Sequence, residues 1–368
     1  MRLHPQQAIN TDTTVANCKG IEYVELCTSN AVQAAYFYRA AFGFEPTARS
    51  SPESAEVSSI LMRSGEARLI LRSPLREGPL ASHLTKHGEG VRDIALRVGS
   101  VEKTFEAAVE SGADVIQRPE LIVDDSRTVK KAVVRTCGSI HHTLLEYASE
   151  FDAPAAGLLP INAPLHRPDR RIERIDHVAI GVEHGTLDRY CEFYCKVLGL
   201  KVTHTEQVIT RLSAMNSKVV QNEDGAVTFS IVEPLPAARR SQVEEFLDYN
   251  HGPGAQHVAF ACRDIIRTVK ELRDEGIEFL ATPAAYYAAT PQRVGTIKES
   301  LVALQDLGIL VDRDEFGYLL QIFSKPMGTV PTFFVEIIQR CGAKGFGSGN
   351  IRALFEALER EQAIRQTL

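Results

Sequence analysis

The 368-residue chain carries 41 Lys and Arg against 47 Asp and Glu, a net charge of −6, with 44% hydrophobic and 24% charged residues. That length suits two domains of about 100–200 residues each, and the mild acidity, with no Lys/Arg run, excludes a nucleic-acid or anionic-membrane track. The opening residues Met1-Arg2-Leu3-His4-Pro5-Gln6-Gln7 form no signal core and no stretch approaches about 18 apolar residues, so a cytosolic location is expected.

In chain order, Ile21-Glu22-Tyr23-Val24-Glu25 reads as a short alternating strand. It enters an aromatic-rich helix around Ala34-Ala35-Tyr36-Phe37-Tyr38, which stops at Gly43, a residue suited to a left-handed C-terminal cap. A strand over Val91 to Val98 leads into a helix over Val101 to Ser111, punctuated by Gly112, and the run Thr143-Leu144-Leu145-Glu146 brings an apolar strand to a carboxylate. Phe151 to Arg171, with Pro154, Pro160, Pro164 and Pro168 and no apolar periodicity, reads as a linker, which divides the chain into domains 1–160 and 161–368.

The second part repeats the first. Ile175-Asp176-His177-Val178-Ala179 opens it, the helix around Tyr190-Cys191-Glu192-Phe193-Tyr194 stops at Gly199, and Gln256 to Ala261 leads into a helix over Ile265 to Glu275. His87-Gly88-Glu89-Gly90-Val91-Arg92-Asp93 is echoed by His251-Gly252-Pro253-Gly254-Ala255-Gln256-His257. Strand–helix units followed by short β-branched strands predict an α+β domain built of paired small modules. At the end, Gly345-Phe346-Gly347-Ser348-Gly349 reads as a loop with Asn350 as the helix N-cap, and Ile351, Leu354, Phe355 and Leu358 fall on one helical stripe, suited to a lid or a docked terminal helix. Cys18, Cys27, Cys137, Cys191, Cys195, Cys262 and Cys341 contain no Cys-x-x-Cys pair, so neither a zinc knuckle nor a redox dithiol is indicated and reduced thiols are expected.

At three matched positions the first part reads Tyr23, Asp93 and Glu146, and the second reads His177, His257 and Glu336. Two imidazoles and one carboxylate are the set that holds a non-haem Fe(II) on one face and leaves the other open. A lone strand histidine is more often a satisfied core residue, but a carboxylate inside Thr332-Phe333-Phe334-Val335-Glu336-Ile337-Ile338 is costly to bury unless it is paired or metal-bound. His83, His87, His141, His142 and His251 lack this pattern and are expected in loops or at the surface.

The second part resembles the 4-hydroxyphenylpyruvate dioxygenase family of the vicinal-oxygen-chelate superfamily. The motifs are Ile175-Asp176-His177-Val178, Gln256-His257-Val258-Ala259, Gly317-Tyr318-Leu319-Leu320-Gln321-Ile322-Phe323, Phe333-Phe334-Val335-Glu336-Ile337-Ile338-Gln339-Arg340 and Gly345-Phe346-Gly347-Ser348-Gly349-Asn350. The resemblance implies two vicinal-oxygen-chelate domains of paired βαβββ modules, each an open barrel, with a C-terminal lid helix and a metal-free first domain. It implies Fe(II) on His177, His257 and Glu336, an α-keto acid and O2 as reactants, and a homo-oligomer, dimer or tetramer. Gln242, Gln256 and Gln321 are the implied catalytic amides, and Ser217, Val232, Phe323, Phe346, Asn350, Ile351 and Phe355 the implied substrate pocket.

Two branches of this family share 4-hydroxyphenylpyruvate. One hydroxylates the ring and gives homogentisate; the other hydroxylates the benzylic carbon and gives 4-hydroxymandelate. Val232 and Ile351 resemble the 4-hydroxymandelate synthase branch, where the ring-hydroxylating branch carries Asn and Phe, whereas Phe355 resembles the ring-hydroxylating branch. The expectation is benzylic hydroxylation to 4-hydroxymandelate and CO2, the alternatives being homogentisate formation or another aryl or alkyl α-keto acid. The same fold also supports catechol ring cleavage and metal-free binding modules.

Overall fold

A computed structural model describes residues 17–124, 127–148, 157–161, 171–210, 212–328 and 330–367. The first part runs β1 (Cys18–Cys27), α1 (Ala31–Phe42), β2 (Glu45–Arg49), β3 (Val57–Ser64), β4 (Ala67–Pro74), α2 (Pro79–His87), β5 (Gly90–Val98), α3 (Val101–Glu110), β6 (Asp114–Asp124), β7 (Arg127–Arg135), β8 (His141–Tyr147) and β9 (Leu159–Pro160). The second runs β10 (Arg174–Gly181), α4 (Leu187–Leu198), β11 (Lys201–Ile209), β12 (Ala214–Gln221), β13 (Thr228–Leu235), α5 (Gln242–Tyr249), β14 (Gly254–Ala261), α6 (Ile265–Asp274), α7 (Ala284–Val294), α8 (Leu301–Leu307), β15 (Leu310–Arg313), β16 (Tyr318–Phe323), β17 (Phe334–Cys341) and α9 (Ser348–Thr367). The two mixed sheets have matching orders, β6-β7-β8-β5-β1-β4-β3-β2-β9 and β11-β12-β13-β10-β14-β17-β16-β15 read in opposite directions, with α7 and α8 as the second part's insertion.

Local chemistry places these elements. Gly43 and Gly199 end α1 and α4 at φ 73° and 71°, the left-handed caps expected from the sequence. Ser100 and Asp264 accept hydrogen bonds from the third helical residues of α3 and α6. Ser241 and Glu244 form a reciprocal capping box, which puts Gln242 at the first position of α5. Gly181, at the end of β10, lets the Phe246 ring of α5 lie where a Cβ would come within 2.8 Å of it.

The second sheet must curl. Ser217 on β12 and Gln321 on β16 line one cavity although five strand intervals separate them, about 24 Å across a flat sheet. All eight residues of β14, in the middle of the second sheet, are buried.

The outer faces of the two sheets and their helices share one core. Phe42 and Phe44 pack against Phe260 at ring distances of 6.2 and 5.5 Å. His142, expected at the surface, is buried on β8; its Nε2 lies 3.0 Å from the Tyr194 hydroxyl on α4 and its Nδ1 2.9 Å from the Ile94 carbonyl. Burial holds its pKa down at about 4, so the ring is neutral at pH 7 and serves as a cross-domain hydrogen-bonding group. His83 and His87 lie on α2, His141 on β8 and His251 in the α5–β14 turn with φ 53°. All seven cysteines are free thiols. Most of the linker expected over 151–171 lies outside the described residues; the boundary proposed at 160 coincides with β9, which pairs with β2 of the first sheet. Among the described residues no helix is long and apolar enough to cross a membrane.

Removing the Tyr194 hydroxyl leaves a buried imidazole nitrogen without its partner. Tyr194→Phe is expected to lower the unfolding free energy by about 1–3 kcal/mol; chemical denaturation of both proteins at pH 7 measures it, and a change within error would show the hydrogen bond to be energetically idle.

Candidate metal centre and its cavity

Strand register brings three side chains together that lie up to 159 residues apart. On β10 and β14, His177 faces Ala259 and Ala179 faces His257; β14 and β17 pair Ala259 with Glu336. The small Ala179 and Ala259 leave the space between the imidazoles and the carboxylate open. His177 Nε2 lies 3.1 Å and His257 Nε2 3.4 Å from Glu336 Oε2. All three donor atoms fall within 4.8 Å of one another, and among the described residues this is the one cluster of its kind.

The surroundings prepare the set. His177 Nδ1 bonds Asp176 Oδ1 at 3.0 Å, which leaves Nε2 to face the cluster. Gln321 Nε2 donates to Glu336 Oε1 at 2.8 Å. His257 stacks on Phe334 at 4.7 Å, and its Nδ1 is buried with no hydrogen-bond partner among the described residues. Burial opposes charge on His177, but Glu336 and then Asp176 overcome it and carry the imidazole up to about 9. Glu336 is held down at about 2 by the two imidazoles against the opposing effect of burial. Without a metal, then, a proton sits between His177 and Glu336. A divalent cation would take that proton's place, and the donor set of two nitrogens and one oxygen fits a non-haem iron.

The cavity beside these atoms is narrow, about 50 Å³, room for a few waters. His177, His257, Glu336, Ser217, Val232, Gln242, Gln256, Gln321, Phe323, Phe346, Ile351 and Phe355 line it, as the resemblance implied, with Met215, Ser230 and Leu354 in addition. Ser230 was legible as the inward neighbour of Val232 two residues along β13, and Leu354 lies on the apolar stripe of α9. Larger crevices, such as one of about 580 Å³ around Arg171, Arg263 and Glu271, lack any metal-binding set, so convergence of donor atoms rather than volume locates the site.

The glutamines are already engaged. Gln256 Nε2 donates to Gln242 Oε1 at 2.7 Å, and Gln321 Oε1 accepts from Asn350 Nδ2 at 2.8 Å. Asn350 is therefore neither the N-cap nor a wall of the cavity. The helix starts two residues earlier, at Ser348, because Asp312 Oδ2 accepts from the Gly349 amide, and the Asn350 side chain is free to turn inward to Gln321 and to the Tyr286 hydroxyl at 2.5 Å.

The first sheet shows what became of the duplicated site. Tyr23 faces Ala95 and Asp93 faces Glu25, as His177 faces Ala259 and His257 faces Ala179. The carboxylate, however, was matched three residues too late. The β5–β8 register (Leu96 with Leu144) puts Thr143 opposite Ala95, hence in the place of Glu336. Glu146 corresponds instead to Gln339: each accepts the first amide of the next-neighbour helix, Val101 and Ile265, at 2.8 Å. Thr143 bonds Asp93 through Oγ1 at 2.5 Å and through its amide at 2.8 Å. The same register sets Lys131 at the place of Gln321 and Arg72 at that of Val232, so two cationic side chains occupy what would be the metal's surroundings.

Comparison with known proteins agrees. The Glyoxalase/Bleomycin resistance protein/Dioxygenase superfamily matches residues 174–322 and, separately, 23–142. A 4-hydroxyphenylpyruvate dioxygenase from Neurospora crassa is 37% identical, covering 99% of this chain and 96% of that protein. One from Danio rerio is 38% identical over 94% of this chain and 91% of its own. The chain belongs to the 4-hydroxyphenylpyruvate dioxygenase family. It is a non-haem iron dioxygenase of two glyoxalase-type domains. A solved triple mutant of 4-hydroxymandelate synthase from Streptomyces coelicolor superposes with a TM-score of 0.85 at 34% identity, covering 94% of this chain and 99% of that one.

His177→Ala, His257→Ala and Glu336→Ala are each expected to abolish stoichiometric metal uptake while circular dichroism stays close to wild type, whereas Thr143→Ala should leave metal content unchanged. Elemental analysis decides; a retained metal in any of the three removes that residue from the set. Because a proton held on His177 up to about pH 9 must leave for the metal to enter, apparent metal affinity should rise by up to about tenfold per pH unit between pH 7 and 9 and level off above. Titrations at several pH values measure that slope, and a flat profile would show that His177 is unprotonated before binding.

Proposed function

We propose that this dioxygenase converts 4-hydroxyphenylpyruvate and O2 into 4-hydroxymandelate and CO2 at an Fe(II) held by His177, His257 and Glu336. The observation that carries the choice is one wall of the cavity. Val232, Met215 and Phe355 pack together with Ile351 against it, and all four line the space beside the metal-binding set. Fe(II) bound there supplies oxygen activation coupled to decarboxylation of the keto acid. A divalent ion with the Glu336 carboxylate retains one positive charge, which a single substrate carboxylate neutralises. The keto-acid end would thus lie at the histidines and the aryl ring against Val232, Ile351 and Phe355.

On this wall an aliphatic side chain at 232 offers no hydrogen bond to steer the polar end of the ring. An aliphatic side chain at 351 leaves the ring room to tilt. Both favour presenting the benzylic carbon rather than the ring carbon, a choice made within about an ångström. Ser217 and Ser230 place two hydroxyls at the cavity, and the Gln242–Gln256 pair forms its polar edge. Helix α9 covers the space, and about 50 Å³ is far below the roughly 300 Å³ of an ordinary ligand site, so α9 moves to admit the keto acid. A second reading, homogentisate formation, is favoured by Phe355 and by the dioxygenase names of the relatives at 37–38% identity. A cytosolic homo-oligomer completes the proposal.

Incubation with Fe(II), O2 and 4-hydroxyphenylpyruvate, read by mass and NMR, is expected to give mainly 4-hydroxymandelate, one CO2 per O2 and no requirement for 2-oxoglutarate. Val232→Asn combined with Ile351→Phe should divert part of the flux to homogentisate; a tenfold change in product ratio corresponds to about 1.4 kcal/mol between two barriers. Homogentisate as the sole wild-type product would overturn the branch and leave the metal centre standing.

A further inference from the structure

Behind His177 lies a closed ring of contacts that leads to the lid. Asp176, buried beside it, accepts from His177 Nδ1 and from Nε and Nη2 of Arg340 at 2.9–3.2 Å. Arg340 stands on β17 four residues beyond Glu336, on the same face of the strand. Its Nη1 donates to the carbonyls of Gly345 at 2.7 Å and Ala343 at 3.3 Å. Its guanidinium lies 5.1 Å from the centre of the Phe346 ring, and that ring lies 5.1 Å from His177. The outer side of the same loop is tied by Asp314, which accepts from the amides of Lys344 and Gly345 at 2.7 Å. Two residues after Phe346, α9 begins.

We propose that Arg340 is a positioning residue that couples the setting of the metal ligand His177 to closure of the 343–347 loop and α9 over the cavity. The proposal rests on the metal reading above. A planar guanidinium can satisfy a carboxylate fork with one edge and loop carbonyls with the other, which an ammonium cannot. By sharing the charge of Asp176, Arg340 limits how far that carboxylate pulls the His177 proton, and so sets ring orientation and donor strength. Arg174 also reaches Asp176 at 3.0 Å but is the more exposed of the two and, among the described residues, makes no hydrogen bond to the loop. A bound metal adds a further fixed partner to His177, which Asp176 already holds, so Phe346 packs against a more rigid ring and the loop opens less often.

The test uses the full chain and Co(II) or Fe(II) alone. Metal affinity is measured by calorimetry and hydrogen exchange is followed across 343–358. Metal loading of wild type should slow exchange there several-fold. Arg340→Met should weaken metal binding about 10–100-fold and abolish the metal-dependent protection. Arg340→Lys, which keeps a charge beside Asp176 and guards against a variant that fails to fold, should recover most of the affinity and little of the protection. Wild-type affinity in Arg340→Met, full protection in Arg340→Lys, or no metal-dependent protection in wild type would each overturn the coupling. If His257→Ala binds metal as well as wild type does, the metal reading itself fails and the coupling falls with it.

Discussion

A single carboxylate, Glu336, is 1% exposed in the middle of an apolar strand, and the organisation of the second domain follows from keeping it charged there. An ionised carboxyl in such a place needs opposite charge and hydrogen bonds together. It has His177 and His257 on one oxygen and Gln321 on the other. Gln321 is in turn fixed by Asn350, Asn350 by Tyr286, and Tyr286 by Arg293, which also binds Asp312, whose second oxygen caps α9. The chain of contacts from the metal-binding set therefore ends on the helix that covers the cavity. A second chain, through Asp176, Arg340 and Phe346, ends at the loop just before it.

The unequal fate of the two domains has the same origin. In the first, Thr143 stands where Glu336 stands, so no carboxylate demands a metal at that strand position. Asp93, in the place of His257, is buried beside Glu25, and burial first and Glu25 second raise it to about 6. Its oxygens are taken up by Thr143, and Glu25 is paired with Arg72 and Arg92. The polar centre has become a set of internal ion pairs and hydrogen bonds. Its outer surface, through His142, Phe42 and Phe44, serves as the wall against which the second domain packs.

Much of this was readable in the residues. The duplication shows because matched strands, glycine caps and helix starts recur at near-constant spacing, and those depend on local backbone chemistry. The convergence of His177, His257 and Glu336 was foreshadowed because a charged residue inside an apolar strand has few physical explanations. Twelve residues that line the cavity, from His177 to Phe355, were named by the resemblance; most lie on strands or on the apolar stripe of α9, with Gln242 opening α5 and Phe346 in the loop before α9.

What the tertiary structure decided were relations across strands. A register shift of three residues turns Glu146 into the counterpart of Gln339 and hands the place of Glu336 to Thr143, and no local pattern shows which of the two polar residues flanking Leu144-Leu145 lies opposite Ala95. Asn350 has every mark of an N-cap, yet Asp312, 38 residues earlier, caps the helix and releases it. His142 looked like a surface residue because its partner, Tyr194, lies in the other domain. Arg340 stood in a recognised motif without a role of its own, because that role consists in joining β10 and the 343–347 loop, which meet β17 only in the folded chain. The sequence by itself determined which groups must be satisfied; only the packing of distant strands determined by whom.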